Sequence, residues 1–318
     1  MNRFVDLAKN PLLISSAAIL ALLVIGELVS PGFARGDQIV RLLTVSAILG
    51  IAAAGQNLVI LGGREGIDLS IGAVISLGAV IAGNVMSGSD AAIPLAFGAA
   101  CCAGFLIGVV NGLGVTYLRI PPLVMTLGMM GVIQGGLVVL SRGVPSGNAA
   151  PALMAFVNRS AFLGIPGILF VWAAIIVLMA LVLTRTRFGW SIYAVGSNEN
   201  AAVLTGLPAH RIRVLLYGLA GLFGGFTGVC VIGYTGNSFI SVGDQYVLPS
   251  VIAVVIGGTS LSGGAGSYTG TALGAIALIL LQSVLTTLNL EFWGRQVIFG
   301  VTLLLLMLLY GRQTRLRV

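Results

Sequence analysis

Residues 184–213 read TRTRFGWSIYAVGSNENAAVLTGLPAHRIR, a polar passage set between two strongly apolar blocks. Arg185 and Arg187 stand at its entry, Arg211 and Arg213 at its exit. Basic residues flanking apolar runs in this way mark a cytoplasmic loop between membrane spans. Within the passage Ser197 or Asn198 can cap a short helix. Glu199 falls in its first turn, Ala201, Ala202, Val203 and Leu204 follow, and Gly206 with Pro208 ends it. A helix this short cannot bury its own apolar side. It either lies on lipid or docks on another protein, and spacing leaves both open.

Working outward, the chain has 318 residues, 58% hydrophobic and only 8% charged, with a mean hydropathy of +1.09. That balance excludes a soluble domain and indicates an all-α, polytopic protein of the lipid bilayer. The 46 glycines follow no strict period, so they point to closely packed membrane helices rather than a collagen-like repeat. The net charge of +7 comes from basic residues set singly between apolar blocks, which is a topology signal and argues against a nucleic-acid partner. Cys101, Cys102 and Cys230 lie in apolar runs, His210 is the one histidine and belongs to the polar loop, and no CxxC occurs. No zinc site is expected. Lys9 is the only lysine, and no GxxxxGK[ST] is present. The chain therefore has no P-loop of its own.

Ten apolar runs are predicted as spans: 12–29, 39–61, 67–86, 91–117, 123–140, 165–183, 214–234, 246–257, 268–288 and 296–310. The first is long for a signal-peptide core and reads better as an uncleaved span. With the N-terminus inside, Arg3, Lys9, Arg64, Arg119, Arg185, Arg187, Arg211, Arg213, Arg312, Arg315 and Arg317 lie inside, 11 of the 16 basic residues. Arg35, Arg41, Arg142, Arg159 and Arg295 lie outside. The excess predicts that both termini are cytoplasmic.

Two glycine-rich breaks look alike. Val59-Ile60-Leu61-Gly62-Gly63 leads to Gly72-Ala73, and Val255-Ile256-Gly257-Gly258 leads to Gly274-Ala275. They suggest two weakly related halves, and irregular backbone at membrane depth survives only where protein or water satisfies it. Each break is either a wall of a translocation path or a tight turn at the inner surface. Asp68, at the head of the third run, reads as a gate residue paired with Arg64 or Arg119, or as an acid favoured by a helix N-terminus. Gln56, Asn57, Ser70, Asn111, Gln134 and Gln282 can contact a polar solute or tie helices together. GxxxG-type spacing at Gly104-Gly108-Gly112, Gly131-Gly135, Gly221-Gly225 and Gly270-Gly274 predicts close helix approach.

Three blocks also carry a resemblance. Gly66-Ile67-Asp68-Leu69-Ser70-Ile71-Gly72, then Arg185-Thr186-Arg187-Phe188-Gly189 with Tyr193 to Ala202, then Ile256-Gly257-Gly258-Thr259-Ser260-Leu261-Ser262-Gly263-Gly264 resemble the signature blocks of the ribose-type sugar ABC importer permeases. The similarity runs in order over nearly the whole chain. It implies one permease domain, residues 1–318, in a bacterial inner membrane. The expected partners are a second permease copy or homologue, ATP-binding subunits that do the hydrolysis, and a periplasmic sugar-binding protein. It further implies that residues 197–207 form the coupling helix that sits in a cleft of the ATPase. On that basis Asn198, Glu199, Ala201, Ala202, Leu204 and Gly206 are expected at the contact, with nearby arginines fixing its orientation. Arg64 and Glu65 depart from the small-residue turn usual before the first block, which leaves the solute open.

Two other classes compete. An ion-coupled transporter of a small polar solute needs titratable groups in mid-membrane, and only Glu27 and Asp68 come near. A membrane-embedded enzyme needs a catalytic cluster, and neither HExxH nor a paired-aspartate motif occurs.

Overall fold

A computed structural model describes residues 11–63, 66–141, 143, 147–162 and 164–311. Arg64 and Glu65, and the basic residues Arg3, Lys9, Arg142, Arg312, Arg315 and Arg317, lie outside these residues. The helices, in chain order, are α1 Pro11–Val29, α2 Gly36–Leu61, α3 Ile71–Met86, α4 Ile93–Thr116, α5 Pro122–Ser141, α6 Pro151–Asn158 and α7 Gly167–Arg185. There follow α8 Arg187–Ser197, α9 Glu199–Leu204, α10 Ala209–Thr235, α11 Val247–Ile256, α12 Tyr268–Thr287 and α13 Phe292–Gly311. Two short strands, β1 Ser160–Phe162 and β2 Ile165–Pro166, pair antiparallel between α6 and α7. The all-α polytopic expectation holds.

Each predicted span coincides with a helix, but not all the helices can cross alone. Among the described residues, seven are long and apolar enough to do so, and α3 and α11 are short apolar helices. At 1.5 Å per residue, the 10 residues of α11 reach about 15 Å, half of a hydrocarbon core of roughly 30 Å. The stretch before it, 236–246, is irregular until a 3-10 turn at Asp244–Tyr246. Gly243 lies there against the backbone of Gly72 on α3, and its N–H donates to Ser76 Oγ at 2.9 Å. Protein thus satisfies backbone that lipid could not. From the other end, the irregular residues 66–70 do the same, with Gly66 lying on the Val59 carbonyl.

Long helix, dip and short helix therefore occur twice, as α2, 62–70 and α3, and as α10, 236–246 and α11. This pairing differs from the one suggested by the glycine-rich blocks, because 257–267 follows a short helix and precedes a long one. The two glycine-rich breaks are neighbours in space instead, with Gly264 N–H donating to the Leu61 carbonyl at 2.9 Å.

Glycine faces draw α4 onto α10. A Cβ at Gly104 would run into Gly221, and one at Gly108 into the Tyr217 carbonyl, so any side chain there would push the helices apart. Gly270 and Gly274 bring α12 onto α11 in the same way. Gly131 and Gly135 do not follow: nothing lies within 4 Å of either added Cβ, because that face of α5 meets no other helix of the chain. At the periphery, α1 leans on α12, where Ile19, Leu22 and Leu23 pack with Leu280 and Val284. Ser15 Oγ donates to the Ile256 carbonyl at 3.0 Å.

Hydrogen bonds also sort the loops into two ends. The start of α1, both glycine-rich breaks and α8 lie at one end. At the other, Ala149 N–H donates to Gly236 O (2.9 Å) and Ala152 N–H to Asp90 Oδ1 (2.8 Å).

Candidate coupling knob and buried polar cluster

Between α7 and α10 the chain builds two helices where the sequence suggested one. Thr186 caps α8 by accepting from Gly189 N–H at 3.1 Å. Ile192, Val195 and Gly196 are buried while Trp190 is exposed. Gly196 lies so close to the Leu61 carbonyl and Gly264 N that a Cβ would overlap both. Tyr193 OH donates to the Gly266 carbonyl at 2.9 Å. Helix α8 thus clamps the two breaks together.

Helix α9 projects from this clamp. Asn198 Oδ1 accepts from Ala201 N–H at 3.1 Å, which settles the cap in favour of Asn198 over Ser197. Gly206 takes a left-handed φ of 85° and Leu207 N–H donates back to the Ala202 carbonyl at 3.1 Å, so the helix stops where a Cβ would be strained. Glu199 is turned inward, its Oε2 held by Arg213 Nη2 at 2.6 Å, with both side chains about four-fifths buried. Ala202 is buried as well. Asn198, Ala201 and Gly206 face outward, with Val203 at 50% exposure and Leu204 at 89%. The outward surface is therefore small and apolar, and Glu199 serves to fix it. His210, expected in a loop, lies in the first turn of α10 with its ring against Tyr117 at 5.8 Å. Beneath the knob is a cavity of about 220 Å³ lined by Gly62, Gly63, Arg119, Glu199, Arg213 and Tyr217, among others.

Four of the seven residues expected along a path, Gln56, Asp68, Ser70 and Asn111, converge beyond this cavity. Asp68 is not in a helix; it sits in the dip, 1% exposed. Its Oδ1 accepts from Ser70 N–H (2.9 Å) and Ser70 Oγ (2.6 Å), and Asn111 Nδ2 donates to the same hydroxyl at 2.9 Å. Gln56, with its amide turned to satisfy both ends, donates to the Asp68 carbonyl (3.1 Å) and accepts its N–H (3.2 Å). Leu69 N–H donates to Thr126 Oγ1 at 3.1 Å. Asn57 Nδ2 reaches Thr259 and Thr271, each at 2.9 Å, and ties α2 to the second break and α12. The expected ion pair does not form within the described residues: Asp68 has none with Arg119, and Arg64 lies outside them.

Gln134 and Gln282 stand elsewhere. Gln134 Nε2 donates to Asp244 Oδ1 at 3.3 Å. Gln282 borders a cavity of about 80 Å³ with Gln245, Tyr246 and Arg295. Cys101, Cys102 and Cys230 are free thiols. Among the described residues no three His, Cys, Asp or Glu come together as a metal site would need.

A helical bundle in which seven of the described helices are long and apolar enough to cross a bilayer defines a polytopic membrane protein. The chain belongs to the family described as branched-chain amino acid transport system / permease component, whose model matches residues 38–308. It is 34% identical to the ribose import permease protein RbsC of Bacillus subtilis over 91% of this chain and 89% of that protein. It is 32% identical to RbsC of Escherichia coli K12 over 94% and 93%. The autoinducer 2 import system permease protein LsrC of Shigella flexneri is 32% identical over 89% and 83%. No solved structure matches. The chain is accordingly the multi-pass inner-membrane permease of a bacterial ABC importer, and ATP hydrolysis resides in a separate subunit. The ion-coupled alternative finds no counterpart among these relatives.

Proposed function

We propose that this permease imports a monosaccharide or a related small polyol, and that α9 is where the ATPase grips it. The family takes in permeases named for branched-chain amino acids, ribose and autoinducer 2, so membership alone leaves the solute open. The ribose permeases match over nearly their full length and favour a pentose. The observation that carries the docking role is the knob itself. A six-residue helix, fixed to α10 by the Glu199–Arg213 pair and presenting Val203 and Leu204 outward, gives a rigid lever with an apolar tip.

On this reading α9 faces the cytoplasm, and so do both termini. The start of α1 lies at the knob's end, and Arg312, Arg315 and Arg317 close the chain. Gln56, Asp68, Ser70 and Asn111 hold the first dip in place and Asn57 ties α2 to the second glycine-rich break, whereas the half-buried Gln134 and Gln282 are the candidate solute contacts. A single domain, residues 1–318, carries all of this, pairing with a second permease copy or homologue.

Two measurements test the proposal. Thermal-shift screening of the cognate binding protein against pentoses and hexoses should single out D-ribose or a close relative; a response to branched-chain amino acids alone would overturn the sugar assignment. Leu204→Cys in the assembled complex should cross-link to the ATP-binding subunit. A knob cysteine reached only by periplasmic reagents would overturn the docking role.

A further inference from the structure

We propose that Tyr217 is a positioning residue that links the knob to the Asp68 turn, through a hydrogen bond between its hydroxyl and Asp68 Oδ2 that forms when the cavity lined by Tyr217 and Gly66 closes. The inference rests on the docking role of α9 and extends it inward.

Arg213 and Tyr217 are one turn apart on α10, and so share a face. Arg213 holds Glu199 of the knob. Tyr217 is 2% exposed, yet its hydroxyl has no partner. Asp68 Oδ2, equally buried, has none either. One group is a donor and the other can only accept. Tyr217 lines the same cavity as Glu199 and Arg213 of the knob's ion pair and as Gly66, two residues before Asp68. Thr116 Oγ1 and Asn111 Oδ1 are unpartnered as well, but of these residues only Tyr217 lines that cavity.

Space for movement is present. The cavity of about 220 Å³ has Gly62, Gly63 and Gly66 of the dip on one wall and Arg213, Leu216 and Tyr217 of α10 on the other. Groups as complementary as these, buried and left apart, are best satisfied in a second arrangement of the same elements. A push on α9 reaches α10 through Arg213, closes the gap, and lets Tyr217 take hold of the dip. Because Gln56, Ser70 and Asn111 already fasten that turn to α2, α3 and α4, the shift is passed to the helices that bound the path.

The test uses the full complex in proteoliposomes, measuring [14C]D-ribose uptake and ATP hydrolysis together. Tyr217→Phe keeps the ring and removes the hydroxyl. It should leave the melting temperature and hydrolysis near wild type while uptake per ATP falls about tenfold. Asp68→Asn should lower the same ratio, and the double variant should be no worse than the poorer single one. Tyr217→Phe with wild-type uptake per ATP overturns the link, as do losses that add with Asp68→Asn, or hydrolysis and uptake falling together with the melting temperature. Leu204→Cys cross-linking in the same preparation separates the two levels. Wild type that neither cross-links nor takes up ribose overturns the underlying function. Wild type that does both, with Tyr217→Phe fully coupled, overturns the link alone.

Discussion

The two dips, 62–70 and 236–246, solve one problem in different ways. Each follows a long helix and leads into a short one, and among the described residues neither holds an α-helix, the second ending in a 3-10 turn at Asp244–Tyr246. The first is fastened by side chains: Gln56 on the Asp68 peptide, Asn111 on Ser70, Thr126 on Leu69, with a buried acid in the middle. The second is fastened where it is buried by closeness of backbone, Gly243 against Gly72, with a bond from Gly243 N–H to Ser76 Oγ, and further bonds from Ala149, Thr235 and Gln134 go to Gly236, Asn237 and the exposed Asp244. Its acid, Asp244, is exposed. A turn held by directional bonds from several helices can register their movement; a turn held by two glycines is a fixed point that resists any added atom. The first borders the cavity beneath α9 through Gly62, Gly63 and Gly66, so on the proposed docking role it is the dip that a push on the knob would reach first.

That contrast can be broken by substitution. Gln56→Leu should be the most damaging, since it strands both polar groups of the Asp68 peptide at roughly 1–3 kcal/mol each; thermal denaturation in detergent will read the loss, and a wild-type melting temperature would end the claim that side chains hold the first dip. Gly243→Val should cost about 1–3 kcal/mol by overpacking, because its branched side chain meets the Gly72 carbonyl and Ile75. Should Gly243→Val stay as stable as wild type, the backbone fixed point is wrong. Leu204→Asp should leave the fold intact and weaken binding of the ATP-binding subunit about tenfold, near 1.4 kcal/mol; unchanged affinity in a pull-down titration would detach the knob from the first dip's role. Gln134→Ala should change stability by less than about 0.5 kcal/mol, its bond to Asp244 being long and open to solvent. A larger loss would show that the second dip, too, relies on side chains.

Much of this was legible in the sequence because membrane helices announce themselves by run length and their loops by charge. The knob was legible from capping chemistry: Asn198, Gly206 and Pro208 sit where the cap, stop and exit were read. The preceding α8 was missed, since Phe188, Trp190, Ile192 and Val195 run on from the apolar α7 with only Thr186 to mark the start. Gln56, Ser70 and Asn111 could be chosen as polar groups in apolar runs, but not as partners, for they lie 41 or more residues apart on different helices or bond to the backbone of a turn. The inward turn of Glu199 likewise depends on Arg213, fourteen residues on. The difference between α3 and α11 and a full crossing was hidden because apolar residues continue from each short helix into the irregular backbone beside it.

The way α1 is attached has a consequence for how the protein is made. Only 11% of its most apolar window is buried, and what holds it is α12 and the Ile256 carbonyl, 241 residues downstream of Ser15. At 5–20 residues per second the ribosome needs about 10–50 s to deliver that partner. Throughout that interval α1 waits with only its near neighbours Phe33 and Leu42 to pack on, held in the bilayer chiefly by its hydrophobicity, and it takes its berth on α12 late in synthesis.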